Sequence, residues 1–360
     1  MTEESRQPSF EELVEQARAA YQGLRLDEAL QSYRSAESLR PEAFEAHVGL
    51  AQTLTRMRRE EEAYRAAEKA IALGPERFEG YVALSVLHFL TDRHEDAESA
   101  LRRAVELAPK DPEPHLILSQ VKADVRRFEE AEADLGIAQE LIAAMGNERA
   151  REQMQALAWH AETYLYLAQG RDVEARESAQ KVISFEQVNP YAASLAYSNL
   201  GVLELRQRHY NQAIEYLERA YQMNSHMHRA ALALGRLLLM RGQNERAAEV
   251  LGHILESMAP TSGSTRFFYA MALSRSRRRQ EALAQYQRAL QEGLKGIDHI
   301  GARWQVIWLS TWGRYAVIAM GLGLLLAWLL LFRPSPQTLT LVLLLVVILV
   351  LRKAVGKRLR

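Results

Sequence analysis

From Phe10 to about residue 295 the chain alternates apolar and polar positions with a helical period. Short polar turns cut this stretch into segments, and each pair of segments reads as two amphipathic helices. Beyond residue 314 the pattern changes. YAVIAMGLGLLLAWLLLF, residues 315–332, and TLTLVLLLVVILVL, residues 338–351, are continuous apolar runs separated by RPSPQ. The elements predicted are therefore helices throughout: many amphipathic ones, then two apolar ones.

The amphipathic part repeats. Pro41, Pro75 and Pro109 lie 34 residues apart, as do Ala29, Ala63, Ala97 and Ala131, and Ala36, Ala70, Ala104 and Ala138. Self-similarity at a fixed period marks an array of stacked supersecondary units. Small residues belong where two helices cross closely, and Pro ends the second helix of a unit because it cannot continue one. The pattern resembles the tetratricopeptide repeat (TPR) family, with a small residue at position 8, Ala at positions 20 and 27 and Pro at position 32. The sixth unit matches most fully, with Tyr197, Leu200, Gly201, Tyr210, Ala213, Leu217 and Ala220 in their places.

Carried forward, the register gives eight units. Position 8 reads Ala17, Ala51, Ser85, Ser119, Thr163, Gly201, Gly235 and Ala270, and position 20 is Ala in each unit from Ala29 to Ala282. Position 27 departs at Val182 and Ile254. Ala131 and Ala175 stand 44 residues apart, and Ala175 and Ala213 stand 38 apart. The surplus predicts a lengthened helix pair between units four and five, and a solenoid acting as two halves. The expected divisions are a tail at 1–9, repeats 1–4 at 10–143, a helical insertion at 144–155 and repeats 5–8 at 156–296.

Trp304, Trp308 and Trp312 follow at four-residue spacing, which stacks them on one face of a helix. The segment 297–314 is expected to be a linker and an interfacial helix of the aromatic-belt type, or else an end cap on the last repeat. Residues 315–332 are 18 uncharged residues, ~27 Å of helix at ~1.5 Å per residue, against a hydrocarbon core of ~30 Å. With the turn 333–337 and the run 338–351, they predict a transmembrane hairpin. Ala316, Ala319, Gly321 and Gly323 are the small residues suited to packing it.

Charge changes the picture at this end. Asp298 is the last acidic residue, and eight Arg or Lys follow it, five of them in the tail 352–360. Basic residues at Arg303, Arg314, Arg352 and Lys353 place the repeats and both termini on the cytoplasmic side by the positive-inside rule, with a bacterial inner membrane favoured. Trp304, Trp308, Trp312, Arg314, Arg352 and Lys353 form the expected membrane interface. The chain has no Cys, which removes disulfides and thiolate chemistry.

No nucleotide-binding, metalloprotease or nucleophile-elbow motif is present. His226 and His228 lie two residues apart without a third ligand, so no metal or other cofactor is expected. The cluster RSRRRQ at 275–280 has no interleaved aromatic stripe, so nucleic acid is not expected either. The chain is not read as an enzyme.

What remains is a protein-binding groove. The family resemblance implies that positions 2, 5, 9, 12 and 13 of each first helix line a concave face. In unit three these include Val82, Val86, Phe89 and Leu90; in unit five, Leu157, His160, Tyr164 and Leu167. In unit six they include Leu195, Val202, Leu205 and Arg206; in unit seven, Leu232, Arg236, Leu239 and Met240. An apolar lining punctuated by Arg suits an amphipathic helix or extended peptide carrying acidic groups. The expected function is a membrane-anchored scaffold that holds a protein partner or helps assemble a membrane complex. An accessory subunit recognised through its hairpin, and a regulator of an enzyme partner, are the alternatives.

Overall fold

The computed structural model describes residues 8–257 and 263–332. Among the described residues the protein is all α-helical. Sixteen helices form eight antiparallel pairs: α1 Phe10–Gln22 with α2 Leu26–Leu39, α3 Phe44–Arg56 with α4 Glu60–Leu73, and α5 Phe78–Leu90 with α6 His94–Leu107. Then come α7 Glu113–Asp124 with α8 Phe128–Ala143, α9 Glu148–Gln169 with α10 Asp172–Ser184, and α11 Pro190–Arg206 with α12 Tyr210–Met223. The array ends with α13 His228–Met240 and α14 Asn244–Ser257, then α15 Gly263–Arg275 and α16 Arg279–Gln291. Two single helices follow, α17 Gly296–Leu309 and α18 Thr311–Phe332.

Extensive helix packing runs between sequence neighbours, first helix on second and second on the next first, as in a solenoid. The small residues do the work the repeat spacing implies. Ala29, Ala63, Ala97, Ala131, Ala213, Ala247 and Ala282 are fully buried where paired helices cross. Position 8 is buried in every unit, and at Gly201 and Gly235 the facing leucine of the partner helix occupies the space a side chain would need.

The turn inside each pair has one conformation throughout. Leu24, Arg58, Asp92, Arg126, Gly170, Arg208, Gly242 and Arg277, the fifteenth residue of each unit, all have positive φ. Two units place glycine there, where the left-handed region carries no steric penalty. The other six hold a side-chain-bearing residue in it, at about 1 kcal/mol each.

The surplus residues between Ala131 and Ala213 become helix, not loop. Asn147 caps α9, its side chain accepting from Ala150 N at 2.9 Å, so that helix runs for 22 residues. Asn189 caps α11 in the same way at 3.0 Å, and Pro190 supplies a preset first helical residue. Both first helices are extended at their N-terminal ends.

Beyond the repeats, α17 packs on α15 and α16. Ala302 and Leu309 are buried in the same core cluster as Leu234, Leu273 and Tyr286 of units seven and eight, with Val306 packed against it. The corner to α18 is tight. Ser310 Oγ accepts from Gly313 N at 3.0 Å, and a methyl group on Gly313 would fall 2.1 Å from the Ile307 carbonyl oxygen. Helix α18 is one continuous element of 22 residues. The expected transmembrane hairpin is not supported by the fold: among the described residues no helix is long and apolar enough to cross a membrane. The turn 333–337, the run 338–351, and Arg352 and Lys353 of the tail lie outside the described residues, as does the Arg314 side chain.

Candidate protein-binding groove

The first helices of the eight units line up along the concave side of the array. Of the sixteen residues expected to line it, Leu90, Val202, Arg206, Arg236 and Met240 are exposed, Met240 at 67%. Val86, Phe89, Leu157, Tyr164, Leu167, Leu195, Leu205 and Leu232 are half-buried. Val82, His160 and Leu239 are buried. At Val82 and His160 the reason is register. Position 5 is buried in every unit but the seventh, where Leu232 is half-buried, so it faces neighbouring helices and not the open groove.

His160 is the sharpest case. It is 6% exposed, and its Nδ1 finds no hydrogen-bond partner among the described residues. Burial holds its imidazole down to about 4, so it sits in the core as a neutral ring.

Units three to five share a polar junction on this side. The Tyr164 hydroxyl donates to Asp124 Oδ1 at 2.6 Å, and the Tyr164 ring stands edge-on to Phe89 with centroids 6.1 Å apart. His94 Nε2 lies 2.7 Å from Asp124 Oδ2. With Asp92 these groups bring three candidate ligand atoms within 4.8 Å of one another. Both Asp124 oxygens already have partners, which makes the group a hydrogen-bonded junction between units. Sequence spacing does not reveal it, because its members come from three different units.

A second feature runs along the first four units. Glu11, Glu45, Glu79 and Glu113 occupy position 2 of the first four units, 34 residues apart. Arg40 reaches Glu11 at 2.7 Å, and Arg77 reaches Glu45 at 2.5 Å and Glu79 at 2.9 Å. Glu113 has no such arginine from the following turn. Burial pushes its carboxyl up to about 7, the charge of Asp111 adds to the effect, and Arg56 works against it. In units six and seven the same face carries Arg206, 3.3 Å from Asp172, and Arg236, whose guanidinium lies 4.8 Å from the Phe268 ring. The first four units thus carry a row of glutamates, mostly answered by arginines, and units six and seven carry Arg206 and Arg236.

Helix α17 has two apolar faces. It caps the last repeat through Ala302, Val306 and Leu309, and it turns Ile297, Ile300, Trp304, Ile307 and Trp308 outward. Those outward residues fall at spacings of three and four, one face of the helix. Ile297 is 86% exposed and Trp304 53%, and Trp312 continues the exposed apolar surface past the corner.

The comparisons with known proteins agree with this architecture. A tetratricopeptide repeat family model matches residues 14–66 and 54–112, and a second one matches residues 204–262. No curated protein matches the sequence. Among solved structures, a chain of the APC/C hetero-tetramer Cut9-Hcn1 is similar with a TM-score of 0.54 and 13% identity over 82% of this chain and 55% of that one. This chain therefore spans about half the length of that relative. A tetratricopeptide repeat protein from Parabacteroides merdae gives a TM-score of 0.45 at 16% identity, over 73% of this chain and 98% of that one. The pilF protein of Pseudomonas aeruginosa gives 0.48 at 17% identity, over 63% and 97%. At 13% identity the likeness to the Cut9-Hcn1 chain is one of fold. Within 14–112 and 204–262 the helical pairs match tetratricopeptide repeats, and the whole array is a solenoid of that fold.

Proposed function

We propose that the chain is a non-catalytic, membrane-anchored scaffold whose concave face holds a protein partner at the cytoplasmic surface or within a membrane complex. Tetratricopeptide repeat arrays generally serve protein interaction, and the half-buried apolar lining with Arg206 and Arg236 at its edge fits a partner helix with acidic groups. The observation that carries the membrane part is the outward face of α17. A cap helix needs one apolar face, and this one has two. The second face leads directly into residues 315–332, which carry no charge. An exposed apolar stripe ending in an uncharged segment is the arrangement of an interfacial helix joined to an anchor. Arg303 and Lys295, both exposed, lie on the same helix or at its start and would meet anionic headgroups.

The test is purification of the full chain from native membranes in mild detergent, beside a version ending at Ser310. The shorter version keeps α17, because removing Ala302 and Leu309 would uncover the last repeat. A partner retained by both, and lost when Val202 and Met240 become Asp, supports recognition by the groove. A partner lost with the C-terminal segment makes that segment the recognition element, and the chain an accessory subunit. Recovery of the full chain in the soluble fraction after alkaline washing would end the membrane reading.

A further inference from the structure

In a solenoid whose units pack on their neighbours, no substantial helix packing brings the first units to the sixth among the described residues. Side chains do so here. Arg56, the last residue of α3 in unit two, lies with its guanidinium carbon 3.7 Å from the Tyr21 ring centroid and 3.6 Å from that of Tyr191. Tyr21 belongs to α1 of unit one, and Tyr191 to the extended N-terminal turn of α11. Arg56 also donates to the Tyr21 carbonyl at 3.3 Å. A guanidinium held between two aromatic faces is a cation–π contact made twice.

A second link lies nearby. Asp27, in the first turn of α2, has its carboxylate 3.8 Å from His226 Nε2, in the turn after α12. The charge of Arg58 is felt at His228, the next residue but one. Units one and two are thus tied to the stretch 191–228 at two places. Glu113 lies close enough for the charge of Arg56 to act on its carboxyl.

The chemistry of these ties is informative. A permanent interface between the two arms would bury apolar helix faces, as the contacts within the array do. This one consists of Arg, Tyr, Asp and His side chains reaching across, the kind of contact that opens without exposing a core. Tyr191 is available for it because Asn189 and Pro190 start α11 early and carry one more turn toward the first units.

We propose that the Tyr21–Arg56–Tyr191 stack is a clasp that closes the superhelix across its own groove, so that a partner enters only when the clasp opens. This rests on the groove being the binding face. The clasp sets when the groove is accessible; the apolar and arginine-bearing wall of units five to seven sets what it accepts.

The chain has no cysteine, so introduced ones report without background. Gln31→Cys and Gln222→Cys, both at exposed helix positions, carry spin labels on the two arms of the full-length protein in detergent. Double electron–electron resonance should give a narrow distance distribution for the parent. Arg56→Ala and Tyr191→Ala should each broaden it and shift it to longer distances, while Arg56→Lys, which keeps a cation between the rings, should retain most of the parent peak. A helical circular-dichroism spectrum and a cooperative melt confirm that each variant is folded. An unchanged distribution in both alanine variants overturns the clasp. Partner capture then tests the gate: Arg56→Ala should bind the partner several-fold faster than the parent, and equal rates overturn gating. Neither result depends on the Val202→Asp and Met240→Asp variants; if those leave capture intact, it is the groove reading that fails.

Discussion

The Leu251 side chain occupies the space beside Gly235: a methyl group on Gly235 would lie 2.6 Å from Leu251 Cγ and Cδ2. Leu251 is fully buried, so any shift it makes to admit a methyl group must be absorbed within the core. Gly235 is therefore a packing requirement of unit seven, and Gly201 plays the same part against Leu217 in unit six.

Gly235→Ala should accordingly destabilise the array. Overpacking costs about 1–3 kcal/mol, and the better helix propensity of Ala returns up to about 1 kcal/mol, leaving a net loss. Gly136, in α8, is the control, because nothing lies within 4 Å of a methyl group placed there. Gly136→Ala should gain about 0.5–1 kcal/mol. Thermal melts of the two variants should move in opposite directions, and a stabilised Gly235→Ala would show that units six and seven are looser than described.

The shared left-handed turn residue gives a prediction with the opposite logic. Arg126 and Arg208 are exposed and hold φ of 63°. Replacing either with Gly removes the strain while the unfolded chain gains entropy, so the expected gain is modest, about 0.5–1 kcal/mol. Gly170→Ala, at φ 78°, should lose a comparable amount or more. Urea midpoints for the three variants check both signs.

Much of this architecture was legible because repetition multiplies weak signals. Ala29, Ala63, Ala97 and Ala131 mean little singly, and their common spacing fixes helix pairs, crossing points and stacking order together. The Glu11 to Glu113 row was equally visible, since it obeys the same period. The Tyr21–Arg56–Tyr191 stack was not. It depends on how far the superhelix has curved after five units, and curvature accumulates from small rotations at each interface that no local pattern records. The dual character of α17 was half visible: the tryptophan spacing defined one face, but the fate of Ala302 and Leu309 depended on where the last repeat ended.

Buried His160 and half-buried Glu113 should give opposite pH signatures. Unfolded His160 titrates near 6.5 and the folded ring near 4. Between those values the unfolded chain binds the proton and the folded one does not. Its contribution is therefore complete above pH 6.5 and falls as pH drops through that window, by about 2 kcal/mol between pH 7 and 5. Glu113 is raised from 4.5 to about 7, so its folded form holds the proton longer. Its contribution is present below pH 4.5 and is lost as pH rises toward 7. His160→Leu should flatten the acid limb of the stability profile, and Glu113→Gln should raise stability at pH 8 relative to the parent. Parallel profiles for parent and both variants would mean that neither group titrates as its surroundings require.

The two faces of α17 can be separated by mutation. Leu309 is buried against units seven and eight, so Leu309→Ala should cost about 2–3 kcal/mol of stability. It should leave the outward face unchanged. Ile300 and Trp304 are exposed, and replacing both with Ser should change stability by no more than about 0.5 kcal/mol. If the outward face lies in a bilayer surface, the same pair of changes should weaken binding of a chain ending at Ser310 to anionic vesicles by about tenfold or more, since two large apolar side chains are withdrawn from the interface. Flotation with phosphatidylglycerol vesicles, beside neutral phosphatidylcholine ones, measures this directly. Loss of binding to both vesicle types on substitution shows that the apolar stripe holds the surface. Weaker binding of the parent to neutral vesicles would add a share for Lys295 and Arg303. A parent chain that floats with neither would leave the stripe to a protein neighbour.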